Sequence, residues 1–189
     1  MKITKPRELR GASMNTRVEV IAALIALVAL LTGILYGLHS PSLRLIQQNK
    51  VLQKIAEMND FWKFITIYMN NLSVMLILYV SSIAIIPGLI ILFSNGVVIG
   101  SVAAISSKRV GTTLTLLLLV PHGVFELYAF IYSAAIAIAL PFTITKRKSG
   151  LRHVLEKQLQ ALLYASIILF IAAFIEAFIT AKIASLVTG

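Results

Sequence analysis

The chain has 189 residues, of which 59% are hydrophobic and only 13% charged, with a formal net charge of +10 and a mean hydropathy of +0.93. Soluble domains run nearer a quarter charged, so most of this surface faces lipid, with no room for a sizeable extramembrane module. The absence of cysteine excludes disulfides, thiolate metal sites and cysteine nucleophiles, and basic residues interleaved with apolar runs point to an anionic leaflet, not nucleic acid.

The first apolar run, Val20–Leu38, gives a span over about 18–38, long enough for a hydrocarbon core of about 30 Å. Lys2, Lys5, Arg7, Arg10 and Arg17 precede it as in a signal peptide. The run is too long for such a segment, however, and no small-x-small cleavage site follows before Ser40-Pro41, so an uncleaved span is expected. From Ser40-Pro41 to Asp60 the chain turns polar. Leu45, Leu52, Ile55 and Met58 recur at helical spacing, which predicts an amphipathic surface helix over 41–60. Phe61, Trp62 and Tyr68 follow at the expected interface.

A second span is predicted over 62–86. Pro87-Gly88 then forces a turn, because proline disfavours helix in the residue before it and suits the first turn after it. The third span covers 87–106 and ends at Lys108-Arg109-Val110-Gly111. The apolar stretch Thr112–Phe142 follows, and as one helix it would extend ~46 Å at 1.5 Å per residue, well beyond the core. Pro121-His122-Gly123 interrupts it, so a broken or re-entrant half-helix over 112–120 and a full span over 122–142 are expected. A basic loop, Lys146–Lys157, leads to a last span over 159–187. The predicted fold is all-α, a polytopic transmembrane bundle of five full spans plus the half-helix, in a single domain over 1–189.

Ten of the 17 basic residues (Lys2, Lys5, Arg7, Arg10, Arg17, Lys146, Arg147, Lys148, Arg152 and Lys157) fall on the side of the N-terminus. The bias places the N-terminus in the cytoplasm and the C-terminus outside, in the plasma membrane. If the half-helix crosses fully, both termini lie inside.

Asn70, Asn71, Asn95, His122, Glu126 and Glu176 are the polar residues inside spans, and each needs a reason to be there. Counted from the span ends, most fall in the outer half, and His122 and Glu126, four apart, share a helix face. A polar cluster is one reading. The alternatives are interhelical packing for the asparagines, capture of carbonyls freed at the break for His122, and ion pairing or reach to the interface for Glu176. Ala29-x3-Gly33-x3-Gly37 and Gly96-x3-Gly100-x3-Ala104 are small-residue rows that signal tight helix packing, within the chain or in a homo-oligomer. No nucleophile–base–orienter set and no phosphate loop occur, so no catalytic, cofactor or metal residues are assigned and no enzyme activity is expected.

Phe64-x5-Asn70-Asn71, Pro87-Gly88, Asn95-Gly96-x3-Gly100 and Pro121-His122-Gly123-x2-Glu126-x2-Ala129 occur here in one order. Together they resemble the stage II sporulation protein M family of integral membrane proteins, over about Phe61 to Leu140. The resemblance implies an all-helical, non-enzymatic membrane protein. The family's namesake belongs to machinery that remodels the wall during engulfment and recruits partners that degrade peptidoglycan. The expected role is therefore a membrane scaffold that assembles with protein partners. The alternative is the permease subunit of an exporter driven by a separate ATPase, to which the broken helix, the intramembrane carboxylates and the basic loop would also be suited.

Overall fold

A computed structural model describes residues 16–41, 58–146 and 151–183, and 95% of these are helical. Among the described residues five helices are long and apolar enough to cross a membrane: α1 (Thr16–His39), α2 (Asp60–Ser82), α3 (Ile86–Val110), α4 (Thr112–Lys146) and α5 (Leu151–Phe174). Helix α5 continues through one π-helical turn, Ile175–Thr180, and is helical to 183, the last described residue. The described residues therefore form the expected all-α bundle with five spans, while the surface helix expected over 41–60 lies almost wholly outside them.

The half-helix does not exist as a separate element. Helix α4 runs unbroken for 35 residues with both Pro121 and Pro141 inside it. A proline deletes one N–H and crowds one carbonyl, a cost of ~3 kcal/mol in a helix interior, and membrane helices absorb it when neighbouring helices pack around them. Helix α4 has that support: 61% of its most apolar window is buried, against 22–39% in the other four spans. Gly123 keeps a negative φ and a Cβ built on it meets nothing within 4 Å. Gly123→Ala should therefore raise thermal stability by about 0.5–1 kcal/mol, as for a helix-interior glycine. A loss of stability on melting would show that the helix needs glycine there.

The ends of several spans differ from the sequence expectation for local reasons. Helix α2 starts at Asp60 because Asn59 Oδ1 accepts the Trp62 amide at 3.0 Å, an N-cap. It stops at Ser82, four residues short of the expected limit, because a tight turn intervenes. There Ile83, Ala84 and Ile85 donate their amides to Val80, Ser81 and Ser82, and Ile86 donates to Ala84 at 2.8 Å. The last bond closes a γ-turn around Ile85 at φ 62°, ψ −71°, a strained conformation for a β-branched residue. The strain of about 1–3 kcal/mol is offset because every amide of the turn finds a partner where water is scarce. Pro87 then brings no N–H to satisfy, and Gly88 is buried so closely against Ser82 that any Cβ would collide with it. The expected basic loop, 146–157, is mostly helix: α4 includes Lys146 and α5 begins at Leu151. Likewise Lys108 and Arg109 form the last turn of α3, where cations suit the helix dipole, and Gly111 at φ 86° makes the connection to α4.

Helix α4 is the axis of the bundle. Its buried run Ala134-Ala135-Ile136-Ala137-Ile138-Ala139-Leu140 has no exposed face, and alternate alanines let the other helices close in all round. The main core joins Ala26 of α1, Met75 and Leu78 of α2, Leu92 of α3, Ala129 and Phe130 of α4, and Ala165 and Leu169 of α5. The two glycine rows pack against each other within the chain. A Cβ on Gly33 would strike the Phe93 carbonyl and one on Gly37 the Val97 carbonyl, while Cβ atoms on Gly96 and Gly100 would strike the carbonyls of Leu30 and Ile34. The contacts ascend together, so α1 and α3 run parallel with their backbones touching.

Candidate functional site

Most of the polar residues singled out within the spans gather around the first half of α4. Glu126 lies ~21 Å along the axis from Thr112, and Asn71 ~16 Å from Asp60, each counted from the start of its helix. Asn71 Nδ2 donates to Glu126 Oε1, and Asn70 Nδ2 donates to Asn71 Oδ1 at 3.4 Å. A chain of amides therefore runs from the exposed Asn70 on α2 to the carboxylate on α4. Glu176 lies within electrostatic reach of Glu126. It is carried by the π-helical turn, whose wider circuit is closed by the Ala181 amide donating to the Glu176 carbonyl.

His122, one turn before Glu126, is buried, and its Nδ1 lies 3.4 Å from Thr180 Oγ1 on the same π-helical turn. It therefore engages α5, not carbonyls freed at a break. Asn95 stays apart: its amide donates to the Ile91 carbonyl of its own helix at 2.9 Å. The structure thus brings together Asn70, Asn71, His122, Glu126 and Glu176 and leaves Asn95 out. Among the described residues no three His, Cys, Asp or Glu side chains form a group able to hold a metal ion. Gly96 and Gly100 serve the α1–α3 contact and Pro87 the turn before α3, so none of these three touches the polar group.

A cavity of about 320 Å³ opens beside this group between α1, α3 and α4. Ile34, Ile99, Leu116 and Leu119 make an apolar wall, and His122 and Glu126 supply its polar atoms. A concave apolar space with a few convergent polar groups is the usual form of a small-molecule site, and this volume is at the lower end of that range.

Two polar positions escaped the sequence reading. Gln158 is buried and bridges three helices, accepting the Tyr79 hydroxyl at 3.1 Å and donating to the Ile136 carbonyl at 3.2 Å. The signal was its place in the stripe Val154, Gln158, Ala161, Ala165, Ile168 and Ala172, the buried face of α5. Thr180 was read as part of an apolar span, and its role depends on the π-helical turn.

The sequence profile of the family described as Stage II sporulation protein M matches residues 22–181, so the chain belongs to that family. Comparison with curated proteins and with solved structures gives no match.

Proposed function

We propose that this member of the stage II sporulation protein M family is a non-enzymatic membrane scaffold, which assembles protein partners for envelope or membrane remodelling. One observation carries the reading. Three pairs of polar groups are engaged between helices, Asn71 with Glu126, His122 with Thr180, and Tyr79 with Gln158, and each reaches the central α4, the last through the Ile136 carbonyl. Together with the backbone contact of α1 and α3, these cross-links build a rigid body that presents fixed surfaces to partners. The cavity beside His122 and Glu126 favours a second reading, a permease subunit driven by a separate ATPase. Crosslinking in native membranes followed by purification distinguishes them. Remodelling proteins recovered in constant ratio to the chain support the scaffold. An ATP-binding cassette ATPase whose hydrolysis requires the chain establishes the permease instead. A folded chain recovered alone would sink both.

The same proposal places the protein in the plasma membrane with its N-terminus in the cytoplasm. With no native cysteine, single cysteines report sidedness without background. Cysteines replacing the exposed Ser40 and Thr113 should react with an impermeant maleimide on intact cells, and cysteines at the exposed Thr145 and Arg152 only after permeabilisation. The reverse pattern would invert the orientation.

A further inference from the structure

The line of amides that begins at Glu126 ends on the outer side of α2. Asn70 lies ~15 Å along the axis from Asp60 in a helix of 23 residues, so it stands at the middle of the span, and its side chain is exposed. One of its amide hydrogens goes to Asn71 Oδ1 at 3.4 Å. A carboxamide carries a second hydrogen and an accepting oxygen, and neither has a partner among the described residues. The exposed hydroxyls of the spans are in a different position. Thr32, Ser73 and Ser94 each donate to a carbonyl of their own helix at 2.7–2.8 Å and need nothing from outside.

The surface around Asn70 is bare of other helices, with Met69, Ile77 and Val80 exposed on the same span. Hydrocarbon offers an amide neither donor nor acceptor, so a half-bonded asparagine at this depth is costly, and in membranes such groups are satisfied across helices. Whatever covers Asn70 must both donate and accept at mid-bilayer. A second copy of the chain meets both needs. Copies enter the membrane in one orientation, so their Asn70 residues lie at one depth, and a twofold axis along the membrane normal sets like residue against like.

We propose that the chain forms a homodimer through α2, closed by reciprocal hydrogen bonds between the two Asn70 side chains. Each oxygen accepts the free hydrogen of the other amide, and the bonds to Asn71 stay in place. Ser73, three residues on, is small enough to let the two helices approach. The amides then run without a gap from Glu126 of one copy to Glu126 of the other. The glycine rows take no part, because they are used up between α1 and α3. The dimer stands whether the chain serves as scaffold or as permease.

The test uses the full chain in liposomes, with a single cysteine in place of the exposed Arg152 carrying a donor or an acceptor dye. Energy transfer should fall on dilution with lipid. Asn70→Leu, which loses both interhelical bonds, should raise the dissociation constant about tenfold. Asn70→Gln keeps donor and acceptor and should stay within a few-fold of wild type, and Ser94→Leu on α3 should change nothing. A second measurement needs no change at Asn70. A photoreactive phenylalanine analogue replacing Ile77 should crosslink two copies in native membranes, and one replacing Ile90 of α3, equally exposed, should not. Absence of energy transfer in wild type, an unchanged constant for Asn70→Leu, or a Gln variant as weak as Leu overturns the proposal. So does crosslinking at position 77 to lipid alone or to a different protein.

Discussion

Gly96→Leu should leave no folded, monodisperse protein in mild detergent. A Cβ at Gly96 would run into the Leu30 carbonyl and stand 2.9 Å from the Ile34 nitrogen and 3.0 Å from the Gly33 Cα. Every one of those atoms belongs to backbone, which cannot swing aside as a long side chain can. Overpacking in an adjustable core costs about 1–3 kcal/mol. Here the remaining leucine atoms would have to pry α1 from α3 along the whole crossing, so the cost should exceed that range. Gly96→Ala should be intermediate, and Gly33→Leu should match Gly96→Leu because the contact is reciprocal. Size-exclusion profiles and melting curves of these variants beside Gly123→Ala provide the check, since of Gly33, Gly96 and Gly123 the last alone faces open space. A Gly96→Leu chain that elutes and melts as wild type would show that α1 and α3 do not meet as described.

Glu126→Gln should abolish complementation of a null strain while leaving expression and melting nearly unchanged. Gln keeps the volume of the side chain and an oxygen able to accept the Asn71 amide, and it removes only the ionisable group. Glu126→Ala removes the acceptor as well, stranding an amide inside a span at a cost of about 1–3 kcal/mol. It should therefore melt lower and also fail to complement. Asn71→Ala should reproduce the fall in stability, because it breaks the same contact from the other side. If Gln complements fully, Glu126 is structural glue. An Ala variant that is stable and active would leave it no role in either fold or function.

How much of this was legible depends on the range of each interaction. Long apolar runs bounded by charges are set by the bilayer, so the presence and order of the five spans could be read, though not their ends. Pro121 was misread because a proline reports only its own missing N–H, whereas the helix persists through packing by four neighbours that the local sequence does not display. The glycine rows announced close contact but not their partner, since each row is complete in itself and the pairing spans some sixty residues. Asn71 and Glu126 could be picked out as costly groups within lipid, yet their contact joins helices 55 positions apart. Gln158 stayed hidden because an amide near a run of basic residues looks like part of a loop.

The pairing of the first helix with the third has a consequence for biogenesis. Gly37 leaves the ribosome 63 residues before Gly100, so at 5–20 residues per second the bare glycine face of α1 waits ~3–13 s for its partner. During that interval α2, running in the opposite direction, must enter the membrane, and the turn at Ile85 must reverse the chain before α3 can come alongside. The insertion machinery therefore has to hold α1 at the translocon exit or release it into lipid with its backbone exposed. A chain stalled between α2 and α3 would be the species most open to quality control.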